Sequence, residues 1–207
     1  MMNKQAGRQV IDNLQSANGA IRRQAWTDVL VDTAKTYVKA AVATSASLVT
    51  TTTTFTHQPD FPRNIVITPG GTTADVPAGD ITVSGTNIRD EVISEVFTLT
   101  ANQTAASTGS KAFKTLTSVV FPIQDGAAAT YDLGLGVKLG LDRKLTEASV
   151  IDAYVGGVRE ATFPTVAISS SAIESNTMST NTAPNDTRDF SVFFITTEKT
   201  LAAGTTA

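Results

Sequence analysis

Short runs of strand-forming residues, separated by turn signals, follow one another through most of this 207-residue chain. Runs that recur at intervals of roughly 8–12 residues are typical of antiparallel sandwiches and barrels, not of alternating strands and helices. The sequence therefore predicts a mainly β chain that folds as an antiparallel β-sandwich of jelly-roll or immunoglobulin-like type. The predicted strands are residues 64–68, 80–83, 91–100, 112–121, 131–141, 149–155, 159–163, 166–173 and 190–197.

Side-chain polarity alternates inside two of these runs. Phe97 and Leu99 alternate with Val96, Thr98 and Thr100, which predicts one apolar face and one face coated with threonine and serine. A branched Cβ suits a pleated strand, and the threonine hydroxyl stays hydrated on the outer face. For the run at 112–121 the same alternation predicts one face with Phe113, Thr115, Thr117 and Val119, opposite a face with Leu116, Ser118 and Val120.

The N-terminal region carries the only helical pattern in the sequence. Apolar residues at three- and four-residue spacing predict one face of a helix, which Asn18-Gly19 either kinks or divides into two short helices. These residues are Val10, Leu14, Ala17, Ile21, Ala25 and Val29. A second stretch extends the stripe through Trp26, Leu30, Tyr37, Val38 and Ala41.

Prolines and glycines between residues 59 and 79 break the chain into short elements, so we predict a domain boundary near residues 55–62. Before it, the β-branched threonines of residues 44–56 favour an extended chain. The predicted organisation is a helical N-terminal arm with an extended linker at residues 1–57, a β-sandwich domain at residues 58–200 and a C-terminal tail at residues 201–207.

The net charge of −3 is unevenly distributed along the chain. Residues 1–50 contain six basic and three acidic residues, whereas the rest of the chain holds ten basic and sixteen acidic ones. Opposite potentials steer association, so this division predicts that the arm docks on the acidic surface of a neighbouring copy. Ordinary charge scatter on a solvated helix accounts for it equally well.

The candidate catalytic groups do not form a known pattern. His57, the single histidine, lies between a threonine run and Pro59, and the sequence has no G-x-S-x-G turn to supply a nucleophile. Asp90, Glu91 and Glu95 lead into a strand without a neighbouring pocket or partner. We therefore predict that the chain is not an enzyme.

Cofactor and metal sites are not expected either. The glycines of GLGVKLG, residues 134–140, do not match the phosphate-binding spacing, and strain relief at a bulge or tight bend explains them better. The carboxylates are scattered, without a D-x-D-x-D-G loop or an H-E-x-x-H motif, and cysteine is absent. The sequence predicts no cofactor and no metal.

Several other partner classes are disfavoured. A pI of about 5.1 and few basic residues argue against specific nucleic-acid binding, and no apolar run approaches a membrane span. Residues 1–7 lack a signal-peptide core, so we expect assembly in the cytoplasm in which the chain is made. A carbohydrate-binding module would cluster aromatics on one sheet, but the candidates Trp26, Tyr37, Tyr131 and Tyr154 are dispersed.

Four short phrases resemble virion structural proteins of tailed bacteriophages: RNIVITPGG at residues 63–71, AGDITVSGTN at 78–87, EVISEVF at 91–97, and TGSKAFK at 108–114, leading to VVFP at 119–122. The resemblance implies a non-enzymatic, homo-oligomeric component of the virion. It implies a capsid decoration or cement protein that stabilises the shell through its N-terminal arm, with a tail or head–tail connector protein as the alternative. Its partners would be other copies of itself and a major capsid protein, or tail and connector proteins.

The predicted protein interface lies on the arm. Arg22 and Arg23 stand beside Trp26, and arginine and tryptophan are favoured anchors at interfaces. The predicted interface residues are Arg8, Leu14, Ile21, Arg22, Arg23 and Trp26.

Overall fold

The computed structural model describes residues 20–196 and residue 198. Nearly all of their regular structure is strand, with two short 3-10 turns at Thr73–Asp75 and Ile173–Ser175. The described strands are β1 (Ala20–Trp26), β2 (Lys39–Ala43), β3 (Thr50–Thr52), β4 (Arg63–Gly71), β5 (Gly79–Thr86), β6 (Val92–Leu99), β7 (Ser107–Thr108), β8 (Thr115–Phe121), β9 (Ala129–Gly140), β10 (Val150–Val155), β11 (Val158–Arg159), β12 (Thr165–Ala167), β13 (Thr177–Ser179) and β14 (Phe190–Thr196).

The strands form three sheets in which every pairing is antiparallel. Sheet I has the order β1-β14-β10-β11. Sheet II has the order β12-β13-β9-β4-β7, with β2 also paired to β9, and sheet III has the order β3-β8-β5-β6. The prediction of a mainly antiparallel β chain is therefore confirmed.

Sheets II and III share one apolar core. Phe121 of sheet III stacks on Tyr131 of sheet II with ring centroids 5.0 Å apart. Both rings are fully buried, so this contact ties the two sheets together over apolar surface. The core also contains Ile65, Ile67, Leu133 and Leu135 from sheet II and Ile81, Val83, Ile93, Phe97, Leu99, Leu116 and Val119 from sheet III.

Sheet I covers a second core at the far end of strand β9. That strand has 12 residues, which corresponds to a length of roughly 40 Å. Its first half lies in the core between sheets II and III, whereas Leu139 near its end packs under sheet I. The second core contains Trp26, Val29, Leu139, Leu141, Leu145, Met178, Phe190, Val192 and Phe194.

A wide bulge interrupts strand β9 between these cores. Arg63 of β4 is opposite Leu139 and Ile65 is opposite Leu135, so the β9 side contains two extra residues. A Cβ at Gly136 would lie 2.2 Å from the side chain of Asn64, and a Cβ at Gly134 would lie 2.3 Å from backbone atoms of Lys35. Gly136 lies within the bulge and Gly134 lies next to it, opposite Val66, so both allow close approach in a region where the sequence predicts a bulge or tight bend.

The predicted helical arm is wrong where the structure describes it. Residues 20–26 form strand β1, which pairs with β14 along its whole length. Ile21 and Ala25 are four residues apart, a spacing that places side chains together on a helix and also on one face of a strand. Pairing with β14 and burial of Trp26 stabilise the strand over the helix at residues 20–26. The part of the predicted helix at residues 10–19 lies outside the described residues.

The second predicted helical stretch is also not helical. Residues 39–43 form strand β2, and the described residues between Trp26 and β2 form bends without a helix. Strands β1, β2 and β3 pair with β14, β9 and β8 respectively. The described part of residues 1–57 therefore contributes one strand to each sheet. Residues 201–207, the predicted tail, lie outside the described residues.

The predicted faces are right on strand β6 and partly wrong on β8. Phe97 and Leu99 are buried and Val96, Thr98 and Thr100 are exposed, as predicted. On β8 the register with β5 shifts because Ser84 is opposite Ser118 and Gly85 is opposite Leu116, which leaves Thr117 as an extra residue. This bulge turns Leu116 to the same core as Val119, although the alternation placed them on opposite faces.

Candidate interaction surface

The outer face of sheet I, which we call the sheet I face, combines apolar side chains from three strands. Ile21 of β1 is opposite Ile195 of β14, and Arg23 is opposite Phe193. Tyr154 of β10 packs edge-on against Phe193, with ring centroids 5.9 Å apart. Paired residues point to the same side of a sheet, so these side chains form one surface.

A shallow depression of about 250 Å³ lies in the sheet I face. It is lined by Ile21, Ile151, Asp152, Tyr154 and Phe193. Ile21 is 55% exposed and Ile151 is 40% exposed. Contiguous exposed apolar surface with a polar margin marks interaction sites on folded proteins.

Asp152 forms the polar margin of this depression. Its carboxylate accepts hydrogen bonds from Nε of Arg159 at 2.6 Å and from the hydroxyl of Tyr154 at 2.9 Å. Desolvation raises the pKa of Asp152, but the hydrogen bonds from Arg159, Tyr154 and the Ala153 amide lower it overall. The bond to Asp152 in turn raises the pKa of Tyr154. These bonds hold the Tyr154 ring and the charged groups of Asp152 and Arg159 in place beside the apolar residues.

The two arginines of β1 have different environments. Arg22 points toward the core side and forms an ion pair with Asp142, with its Nε 3.1 Å from the carboxylate. Arg23 points outward, and its guanidinium lies over the ring of Phe193 at 6.0 Å. Among the described residues, no carboxylate lies within ion-pair distance of Arg23. Arg23 is therefore the cation of the sheet I face that is available to a partner.

The structure brings together part of the predicted interface. Ile21, Arg22 and Arg23 lie on β1, and Ile21 and Arg23 belong to the sheet I face. Trp26 is 2% exposed and packs in the core under sheet I, so its side chain does not reach a neighbouring molecule. Arg8 and Leu14 lie outside the described residues.

Sequence reasoning missed the residues that β10 and β14 contribute, which are Ile151, Asp152, Tyr154, Phe193 and Ile195. One signal could have found Phe193. The sequence FSVFFIT of β14 has two adjacent phenylalanines, and adjacent strand residues point to opposite faces. One ring of the pair must therefore point away from the core.

A second depression, of about 470 Å³, lies next to the β10–β11 hairpin. The hairpin turns through Gly156 and Gly157, whose φ angles of 56° and 79° suit a type I′ turn. Its lining combines Val155 and Val158 with the polar side chains of Arg159, Glu160 and Arg188, and Arg188 donates to the carbonyl of Ala183 at 2.7 Å.

Four loops meet at the opposite end of strand β9, and we call residues 44–49, 72–78, 100–106 and 122–128 the loop end. Backbone hydrogen bonds connect them: the amide of Gln124 donates to Ser45, that of Asp125 to Asp75, and that of Asn102 to Val76. The loop end exposes Leu48, Val49 and Ile123. It is thus a second surface with exposed apolar residues.

His57 is held by structural contacts. Its ring stacks on Tyr37 with centroids 4.4 Å apart, and its Nδ1 donates to the carbonyl oxygen of Tyr37 at 2.9 Å. Tyr37 is half-buried, and Trp26 and Tyr131 are buried, so these aromatic residues do not form a common exposed patch with Tyr154. Within residues 20–196 and 198, no three His, Cys, Asp or Glu residues are grouped to hold a metal ion.

Among the described residues, no helix has the length and apolar character needed to cross a membrane. Comparison of the chain with models of known protein families, with curated proteins and with solved structures finds no match.

Proposed function

We propose that this chain is a structural component of a tailed-phage particle, a capsid decoration or cement protein that binds the shell through the sheet I face. The observation that carries the proposal is the group of exposed Ile21 and Ile151 with half-buried Phe193, beside Arg23. Apolar residues with an arginine at their margin are the composition of protein interface centres.

The construction of the sheet I face supports a binding role. Its strands come from residues 20–26, 150–159 and 190–196, and their side chains are held by sheet pairing and by the Asp152 hydrogen bonds. A surface on paired strands keeps its shape before a partner arrives, so little conformational entropy is lost on binding. In this proposal, β1, β14 and β10 anchor the chain to its partner, in place of the helical arm that the sequence predicted.

The proposed architecture is a β-sandwich of jelly-roll or immunoglobulin-like type made by sheets II and III. Its support is the single apolar core to which both sheets contribute, including the Phe121 and Tyr131 stack. The outer side of sheet III carries the expected hydroxyl groups, because Ser84 is opposite Ser94 and Ser118, and Thr82 is opposite Val96.

A tail or head–tail connector protein is the second candidate. It is favoured by the presence of two exposed apolar surfaces, the sheet I face and the loop end, at opposite ends of β9. Two such surfaces on one chain suit stacking into rings.

The test is to quantify this chain in purified particles by mass spectrometry. A decoration protein is expected in on the order of hundreds of copies and a connector in on the order of ten, because shell and ring symmetries differ. Phe193→Ser should reduce occupancy at least about tenfold through lost interface area. The control is Val92→Ser, since Val92 is 85% exposed on sheet III. Full occupancy with Phe193→Ser, or absence of the parent chain from particles, would refute the proposal.

A further inference from the structure

We propose that the sheet I face of one copy binds the loop end of a second copy, so that the chain assembles head to tail. This inference rests on the second candidate of the proposed function, the tail or connector protein, because there the sheet I face meets another copy of the chain, whereas a decoration protein uses that face on the shell. The two surfaces differ in charge, and they lie at opposite ends of strand β9.

The loop end is an ordered surface. The side chain of Asp75 accepts hydrogen bonds from the amides of Ala127 and Ala128, at 3.1 and 2.8 Å. Gln124 accepts from the amide of Ala129 at 2.8 Å and donates to the carbonyl of Thr44 at 2.9 Å. With the backbone bonds between the four loops, these contacts fix the loop end without help from a partner.

The exposed apolar residues of the loop end lie close together. Leu48 is 70% exposed and its neighbour Val49 is 57% exposed. Thr50 of β3 is opposite Phe121 of β8, so continuing both strands by one residue places Val49 opposite Pro122, next to Ile123.

The loop end is also acidic. Its four loops contain Asp75 and Asp125 and no lysine or arginine. Asp125 is exposed and, among the described residues, has no ion-pair partner. The sheet I face presents Arg23, which is likewise without a carboxylate partner there. Opposite charges on apolar surfaces orient the two copies and disfavour like-with-like pairing.

This arrangement is heterologous, because two different surfaces of the chain meet. Heterologous contacts repeat from copy to copy and give closed rings or open stacks, whereas self-complementary surfaces give only dimers. The position of the surfaces at the two ends of β9, roughly 40 Å apart along the strand, leaves both accessible in every copy. Each copy in the assembly therefore contributes its own loop end and receives another.

The test uses the full chain and two variants, analysed by size-exclusion chromatography with light scattering. Phe193→Ser alters the sheet I face, and Leu48→Ser alters the loop end. Each variant alone should associate at least about tenfold more weakly than the parent chain. Mixed in equal amounts, they should form a one-to-one complex, because the intact loop end of one fits the intact face of the other. Val92→Ser is the control and should associate like the parent.

Self-pairing of the sheet I face gives a different result. Leu48→Ser would then associate as well as the parent, and mixing would produce no new complex. Either outcome overturns the inference, as does a parent chain that stays monomeric up to about 1 mM. If Phe193→Ser lowers the melting temperature, Ile21→Ser, which is more exposed, replaces it in the same mixing experiment.

A charge exchange gives an independent measurement. Arg23→Glu should weaken association, and the double variant with Asp125→Lys should regain most of it, since the opposite charges are restored across the contact. No regain overturns the charge pairing on which the inference depends. Loss of Phe193→Ser from particles without any complex in the mixing experiment would refute head-to-tail assembly and leave the proposed binding surface intact.

Discussion

Arg63 and Gly136 are joined inside the bulge of strand β9, where Nε of Arg63 donates to the Gly136 carbonyl oxygen at 2.8 Å. The guanidinium also donates to the carbonyl of Leu30 and to the carboxylate of Asp60, each at 3.0 Å. Arg63 is 1% exposed, so its charge is removed from water and satisfied entirely by these partners. The bulge supplies the carbonyl that a regular strand would have used in its ladder.

Removal of the Arg63 side chain should therefore be strongly destabilising. Arg63→Ala leaves Asp60 and the Gly136 carbonyl without their partner, and breaking a buried ion pair in this way costs about 3–5 kcal/mol. Urea unfolding monitored by circular dichroism measures the change. The control is Arg89→Ala, because the pair of Arg89 with Glu198 is partly solvent-exposed and should contribute less than about 1 kcal/mol. Equal effects of the two variants would contradict a structural role for Arg63.

Gly136→Ala should also destabilise the fold, for a steric reason. The new Cβ would lie 2.2 Å from Oδ1 of Asn64, a buried side chain that accepts from the amide of Lys138 and donates to the carbonyl of Gly109. Displacing Asn64 breaks both bonds, and overpacking of this kind costs about 1–3 kcal/mol. Gly70→Ala is the control, since its Cβ would lie 3.1 Å from the hydroxyl of Thr130. The free energy of unfolding should fall more in Gly136→Ala than in Gly70→Ala.

The glycines of β9 show what the sequence could predict about this region. Their spacing argued against a phosphate-binding motif and for a bulge or tight bend, and both arguments depend on local geometry. The sequence could not identify Arg63 as the residue that fills the bulge. Arg63 and Gly136 are 73 positions apart in the sequence, and only the antiparallel pairing of β4 with β9 brings them together. Long-range pairing leaves no local signal in a single sequence.

The error at β1 has a related cause. Ile21, Ala25 and Val29 recur every four residues, and a spacing of four fits a helix and a strand alike. Arg23 distinguishes the strand from the helix. It lies on the same face as Ile21 in the structure, and a two-residue period belongs only to a strand. The decisive stabilisation comes from β14, at the other end of the chain, and from burial of Trp26 under sheet I. Tertiary pairing overrode the local pattern.

The candidate surface was predictable only on the β1 side. Ile21 and Arg23 were visible as neighbours of Trp26, but Phe193 and Asp152 join them through pairing across more than a hundred residues. The face of β6 was predicted correctly because alternation is local. The face of β8 was predicted only in part, because the bulge at Thr117 shifts the alternation and depends on the register with β5.

The core between sheets II and III should depend on its aromatic rings. Phe97→Ala and Phe121→Ala each remove a buried ring and should cost about 3–5 kcal/mol, from lost transfer free energy and the remaining cavity. The control on the opposite face of β6 is Val96→Ala, where the side chain is 55% exposed and the expected change is below about 0.5 kcal/mol. Thermal unfolding by calorimetry measures all three. A small effect of Phe121→Ala would show that its stack with Tyr131 is not a core contact.

The pH dependence of the sheet I face should follow Asp152. The pKa of Asp152 is lowered in the folded chain, because hydrogen bonds from Arg159 and Tyr154 outweigh desolvation. A carboxyl with a lowered pKa contributes stability that is fully present above its unfolded pKa, about 3.9, and is lost as the pH falls through the folded pKa. The stability difference between the parent and Asp152→Asn should therefore be constant from neutral pH to about pH 5 and shrink below about pH 4. Urea unfolding at a series of pH values measures it, with Asp80→Asn as the control on sheet III. A difference that grows as the pH falls would show that the Asp152 hydrogen bonds do not favour its charged form.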